Sequence, residues 1–449
     1  MDIAPFAALR YTDTRPGEID RCISLPYDQF GDAGREQRYL RHPHNVVRLI
    51  KPRAAELPAH ELAARTLADW RRRGVVAADE TPAVYPYRQR FERPGGALEG
   101  ERWSFISRLR LTPLASGPVK PHERTYPDTV GERSHLREVV GADLGLILVV
   151  YDDPDGEVDA LVRGAAREAE LFEATDEGGT ANALWAWHQQ ERIAELRGKL
   201  EASSGFIADG HHRYTAALGH WQGRGAADHD AAGWVMAALV SAASPGLRIL
   251  PTHRLTEIAP GDAGVDGWRR AGLQVTRLAA STDAAVVADA AAVALARHAA
   301  DHAIAYVHGD AGVLIAELVH APRGSLRDAP WPDDVPDSWR ALDVPVLHSL
   351  MMEPWMADVL RSQTEDHGAL DYCNAYLEAV EIVARGERGA AFLINPLSVA
   401  EVRSVVAAGD VLPPKSTNFF PKVVAGLTIN AFGPFEGTTA DTTEDTMAP

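Results

Sequence analysis

The sequence predicts an α/β fold in two parts, and three observations carry that reading. Apolar strand-like runs such as GLILVVY (145–151) and GWVMAALVSA (233–242) alternate with helical patterns. The chain has 449 residues, enough for two domains with separate cores. Its texture changes around SPGLRILPTHRL (244–255), and a second alternation of helix and strand follows. The expected domains are therefore 1–245 and 246–436. A small, polar, acidic tail at 437–449 has the composition of a disordered segment.

The first stretch, with ISLPYDQF and HPHNVVRLIKP, is punctuated by proline and reads as extended segments and turns. HELAARTLADWRRR (60–73) carries apolar residues at helical spacing. AVYPYRQRF (83–91) and RWSFISRLRL (102–111) are rich in strand formers, and ERPGGALEGE between them predicts a hairpin. A buried strand at 145–151 ends in the turn DDPDG. Helices are expected around 157–173 and 191–202, then a strand near 205–208, a helix from about 211 to 221 and a strand at 233–242. The second part should hold an Ala-rich helix near 284–300, strands at AIAYVH and GVLIAEL, and a helix near 343–360. A strand at AAFLINP, a helix at SVAEVRSVVAAG ending on a glycine cap, and a loop at LPPKSTNFFPK complete it.

Composition narrows function. The formal net charge of −18 repels phosphate backbones and argues against broad nucleic-acid binding. Cys22 and Cys373 have neither disulfide nor metal-ligand spacing. The N-terminus lacks the pattern of a signal peptide, and no apolar run approaches the ~20 residues of a membrane helix. The expectation is a soluble cytoplasmic protein; nothing in the sequence sets an oligomeric state.

Three clusters carry chemistry. In FIADGHHRYTAAL (206–218), Asp209 is placed to cap a helix and Gly210 to let the backbone turn. His211, His212 and Arg213 then fall in the first helical turn, at the positive end of the dipole. Three such residues there ask for an anion, so the helix mouth reads as a phosphate site. The alternative is a capped helix with solvated polar residues. In VKPHERTYPDTVGERSHLR (119–137), Lys120, His122, Glu123 and Arg124 crowd a proline-led turn, with Arg133 and His135 further on. A carboxylate among cations stays ionised and can accept a hydroxyl proton. A surface loop with local ion pairs is the other reading. The third cluster, LPPKSTNFFPK (412–422), places Lys415, Ser416, Thr417 and Lys422 on a proline-bounded loop that is no Walker motif. Asp28, Asn45 and Arg48 sit in turns that resemble strand entries and are further candidates.

Taken in order, KPHE (120–123), DGHHR (209–213) and PPKST (413–417) resemble the SerK-type free serine kinases and the larger bacterial domain of unknown function 1015 family. PYD (26–28), NVVRL (45–49), HERT (122–125) and RILP (248–251) extend the resemblance from about residue 4 to 433. It implies a ParB/sulfiredoxin-like α/β core in the first half, in which a G-x-H-R turn holds nucleotide phosphates. Gly210, His212 and Arg213 occupy that turn. It also implies that Glu123 is the catalytic carboxylate facing a serine hydroxyl, with Asp209 and His211 lining the same site. Lys415, Ser416 and Thr417 would approach from the second domain. Sulfiredoxin's motif carries a Cys where this chain has His211, so sulfur chemistry is not implied.

The expected function is a small-molecule kinase. ATP or ADP would give a phosphoryl group to the hydroxyl of free serine or a related amino acid. Lys120, His122 and residues 210–213 would hold the nucleotide with Lys415–Thr417, and Asp28, Asn45, Arg48, Arg124 and Thr125 would face the acceptor. Mg²⁺ would bridge phosphate oxygens, with Asp209 as its nearby ligand. The other readings are a ParB-like nucleotide-binding regulator without transfer activity, and a nucleotide or phosphoester hydrolase.

Overall fold

The computed structural model describes residues 1–54, 57–92, 99–168, 171–228, 230–354, 356 and 370–432. The expected tail at 437–449, most of the turn at 92–101 and the last part of the helix expected to reach 360 lie outside them. Two compact units form. One holds Met1–Lys120, Thr125–Leu247 and the stretch from Pro421 on; the other holds Pro121–Arg124 and Arg248–Phe420.

The main elements of the first unit are α1 (Ala59–Arg72), β1 (Tyr85–Glu92), β2 (Glu99–Arg110), β3 (Val119–Lys120), α2 (Pro127–Val140), β4 (Ile147–Tyr151), β5 (Phe172–Thr175), β6 (Ala181–Leu184), β7 (Gly205–Asp209), α3 (His211–Gly223) and β8 (Trp234–Ser241). In α1, Ala63, Leu67 and Trp70 are buried at i, i+4 and i+7. The sheet has nine strands in the order β3-β7-β4-β8-β2-β1-β6-β5, and Ile3–Ala4 pairs with β2 in addition. β1 and β2 form the expected antiparallel hairpin, with Tyr85 opposite Ile106. The β3/β7 and β4/β8 pairs are parallel. All five residues of β4 are buried, as its continuous apolar run requires of a strand covered on both faces.

Three parts of the first unit differ from the sequence expectation. The opening stretch, read as extended segments and turns, holds a ten-residue helix over Asp32–Arg41 and a short helix over Val47–Ile50. Residues 127–140, for which no helix was expected, form α2. Its buried positions are Arg133, Leu136, Arg137 and Val140, so arginines interrupt the apolar stripe that would have revealed it. The helix expected at 157–173 covers only Glu157–Arg163, with a short 3₁₀ turn to Arg167; β5 follows, and its partner β6 was not foreseen.

The second unit contains β9 (His253–Thr256), β10 (Gln274–Ser281), α4 (Ala284–Arg297), β11 (Asp301–Asp310), β12 (Val313–Pro322), β13 (Leu370–Cys373), α5 (Tyr376–Ala384), β14 (Ala390–Ile394) and α6 (Val399–Ala407). Its six-stranded sheet, β10-β12-β11-β14-β9-β13, is antiparallel throughout. Alternation along β11 serves two cores. Ile304 and Tyr306 pack with Trp268, Met351 and Phe392, while Ala303, Ala305 and Val307 pack with α4 and α5. Ser398 and Glu401 make a reciprocal capping box at the start of α6, and Gly409 follows its end with a φ of +81°. The helix expected at 343–360 begins as a short turn, Asp343–Pro345, and continues as a π-helix over Val346–Met352. The fold is α/β in class, with two domains.

Candidate functional site

β7 ends where α3 begins, and that junction builds the strongest site in the first unit. Gly210 is the N-cap of α3, with a φ of +90° that residues with a side chain avoid. A Cβ there would lie 3.0 Å from Arg213 Nε, so the guanidinium needs this glycine to approach the turn. Asp209 does not cap the helix as expected; no side chain does. Instead its Oδ2 accepts from Arg213 Nη2 at 2.8 Å and its Oδ1 from Lys422 Nζ at 3.4 Å. The anion that the cationic first turn asks for is thus in part supplied from inside the protein.

The electrostatics follow. Burial works to raise the pKa of Asp209, but Lys422 and Arg213 outweigh it and hold the carboxyl below its ordinary 3.8. Burial disfavours the Arg213 cation, and Asp209, then Asp28 and Tyr27, more than restore it. Arg213 Nη1 also donates to the Leu146 carbonyl. Its fork therefore points back at protein groups, which corrects the picture of a guanidinium presented bidentate to a phosphate.

His212 is corrected in the same way. Its Nε2 accepts the Tyr126 N–H at 3.0 Å, and its ring stacks on Tyr126 at 5.7 Å and 16°. An accepting Nε2 leaves the proton on Nδ1. The side chain ties α3 to the residue that precedes α2. His211 is buried in the first turn of α3. Lys120, on β3 opposite Phe206 of β7, donates to the Ala115 carbonyl at 2.6 Å.

Lys422, named in the third cluster but given no role in the expected site, is held in place by a fully buried arginine that was not foreseen. Arg102 on β2 donates to Gln89 and, at 2.7 Å, to the Pro421 carbonyl; Gln89 Nε2 donates to the Lys422 carbonyl at 2.9 Å. Burial pushes the Arg102 pKa down to about 10. The second lysine of PPKSTNFFPK signalled Lys422. Nothing signalled Arg102, because an arginine in a strand ordinarily reads as facing water.

In the second unit, fully buried His122 places Nε2 2.8 Å from Thr417 Oγ1, and its carbonyl accepts the Leu412 N–H at 2.8 Å. Ser416 is buried and donates to the Pro413 carbonyl at 2.7 Å. Lys415 has a φ of +57°, and its carbonyl accepts from Arg254 Nη2 at 3.0 Å. His122 and Ser416 thus shape the PPKST loop from within rather than facing solvent as phosphate donors. Glu123 is half-buried, Thr125 half-buried and Arg124 exposed.

The N-terminal candidates divide. Asn45 is fully buried, donates to the carbonyls of Arg21 and Ile23 and accepts the Val47 N–H; it holds a turn and does not face an acceptor. Arg48 donates to the Tyr39 carbonyl and lies over the Tyr39 ring at 4.4 Å. Asp28 is exposed, in a 3₁₀ turn whose charge Arg213 feels. A cavity of about 60 Å³ beside α3 is lined by Tyr27, Arg133, Arg137, Asp143 and Arg213 among others. It is far smaller than the ~300–1,000 Å³ of ligand clefts.

Asp209 does not suit the Mg²⁺ expected on it. Both its oxygens already face cations, and a third positive charge would be repelled.

Fold and site together define an α/β protein with an anion-compatible helix mouth at the carboxyl end of a sheet strand. The chain belongs to the family described as "Protein of unknown function (DUF1015)", which matches residues 3–266. No curated protein matches it. Among solved structures it is similar to a free serine kinase in complex with AMP, at 15% identity over 67% of this chain and 83% of that one, with a TM-score of 0.33. A conserved hypothetical protein from Pyrococcus furiosus matches at 14% identity over 70% and 92%, also with a TM-score of 0.33. SbnI with a C-terminal truncation, from Staphylococcus aureus, matches at 12% over 73% and 87%, with a TM-score of 0.32. No helix among the described residues is long and apolar enough to cross a membrane.

Proposed function

We propose that this protein is a small-molecule kinase that moves a phosphoryl group from ATP or ADP to the hydroxyl of free serine or a related amino acid. The observation that carries the reading is the charge cluster at the mouth of α3. Arg213 and Lys422 flank a single carboxylate, Asp209, at the positive end of a 13-residue helix. Two cations and a helix dipole meet one contacting carboxylate, with the charge of exposed Asp28 acting on Arg213 besides, so positive charge gathers at this mouth on a chain whose net charge is −18. A polyphosphate is drawn to such a place, and Gly210 leaves room for it to approach the backbone.

Glu123 is the proposed base. It is the glutamate of KPHE, three residues before Tyr126, whose N–H donates to His212 of α3. It would take the hydroxyl proton as the oxygen attacks phosphorus. Lys422, the helix amides and Lys120 would stabilise charge on the transferred group. Asp209 keeps Arg213 and Lys422 in position and is no base itself, because its depressed pKa makes it a poor proton acceptor.

The test is to incubate the purified protein with MgCl₂, ATP or ADP, and a panel of L-serine, L-threonine and L-homoserine, and to look for a phosphomonoester by ³¹P NMR. O-phosphoserine with matched loss of nucleotide phosphate supports the reading. Phosphate release without a phosphorylated amino acid identifies a hydrolase, and nucleotide binding without turnover identifies a regulator; either result rejects the kinase.

A further inference from the structure

In the second unit, two histidines and an aspartate from three elements converge on one face of the sheet. β11 and β12 pair antiparallel, with Asp301 opposite Pro322 and Ala303 opposite His320. Residues two apart on a strand share a face, so Asp301, Ala303 and His320 lie together, with Asp301 and His320 as diagonal neighbours. Ala303 packs in the core that α4 covers, which identifies the face. α4 ends there, and its C-cap residue is His298. His298 Nδ1 lies 2.9 Å from Asp301 Oδ2, and the His298 and His320 ring centroids are 4.7 Å apart. One ligand atom from each residue lies within 4.8 Å of the other two. All three side chains are half-buried, so an ion can reach them from solvent.

We propose that His298, Asp301 and His320 bind a divalent transition-metal ion of the zinc class. Two imidazoles and a carboxylate form the donor set of a borderline ion, whereas Mg²⁺ demands oxygen ligands in an octahedron. Zinc bonds of about 2.0–2.2 Å put tetrahedral ligand atoms roughly 3.4 Å apart, and rotation of these partly exposed side chains closes the remaining distance. The fourth position opens to water. The carbonyl end of a 14-residue helix favours a cation at the same spot. The ion would join the end of α4 to two strands and so stabilise the second unit. This site is separate from the helix mouth and does not depend on the kinase reading.

The experiment uses the full chain after chelator treatment, with Zn²⁺ and Mg²⁺ titrated by calorimetry and thermal unfolding. The proposal expects one equivalent of Zn²⁺ to bind with a rise in Tm, and no rise with Mg²⁺. His298→Gln and His320→Gln should each weaken binding by more than the ~10–100-fold that loss of an outer-shell partner costs, while the melting temperature of the metal-free protein stays close to that of the parent. Co²⁺ added to the unsubstituted protein should give the visible absorption bands of a low-coordinate N/O site, a readout independent of whether the variants fold. Absence of Zn²⁺ binding, Zn²⁺ binding that survives both substitutions, or a Co²⁺ spectrum identical to that of the aquo ion would each overturn it.

Discussion

Each unit fully buries an arginine that donates to a backbone carbonyl of the late segment, and the two are balanced differently. Arg102 holds the Pro421 carbonyl and Gln89 in the first unit. Arg254 holds the Lys415 and Thr252 carbonyls in the second and donates Nε to His348 at 3.0 Å. Both are fully buried, and burial pushes the pKa of each down to about 10. Tyr87 and then the field of Asp209 support the Arg102 cation, whereas among the described residues Arg254 draws its support from Tyr372. The difference teaches what each clamp is for. Arg102 belongs to a charged site and helps to set Lys422 against Asp209. Arg254 fixes a loop shape, including the left-handed Lys415, without a counter-charge among the described residues.

The largest expected effect distinguishes the two clamps. Replacing Arg102 by methionine strips its partner from Gln89 and the Pro421 carbonyl, and replacing Arg254 does so for the Thr252 and Lys415 carbonyls and His348, at about 1–3 kcal/mol for each acceptor left unpaired. At Arg254 the loss is offset, because removing a charge that no acid among the described residues balances recovers its desolvation cost. Arg102→Met should therefore cost about 3 kcal/mol in urea unfolding and Arg254→Met about half of that. Equal costs, or the reverse order, would break the comparison.

A smaller effect sharpens it through pH. Burial, then Arg254, lowers the His253 pKa to about 3 and drives His348 well below 6.5. Unfolded, both take up protons near 6.5, so below that pH the unfolded chain binds more protons. Their contribution to stability is complete above about 6.5 and fades as pH falls toward 3, by up to ~1.4 kcal/mol per pH unit for each. Asp209 has the opposite chemistry. Its folded pKa lies below 3.8, so its contribution holds until pH falls under about 4. The histidines lowered in the first unit, His42, His44 and His220, are only half-buried. Hydrogen exchange compared at pH 7 and pH 5, after correction for intrinsic rates, should show β9 losing protection before β7. Equal loss in the two strands would contradict this.

Much of the fold was legible because its core strands are plain. β4, β7, β8 and β11 are apolar runs that read as strands, and the hairpin of β1 and β2 announces its turn. α2 escaped because Arg133 and Arg137 occupy its buried face. The DGHHR cluster was legible as chemistry, but its internal wiring was not. No spacing rule says that Asp209 turns to Lys422, 213 residues away, or that His212 accepts a backbone N–H. Arg102 was invisible for the same reason: only the folded sheet shows that its strand position faces inward.

The central claim is that Glu123 removes a proton while the helix mouth holds the nucleotide. Its most direct test is a paired measurement on Glu123→Gln: calorimetric ADP binding beside the rate of phosphoserine formation. The account predicts an ADP affinity within about twofold of the parent and turnover reduced roughly 10²–10⁴-fold. Turnover at the parent rate, or loss of ADP binding equal to the loss of turnover, would contradict it.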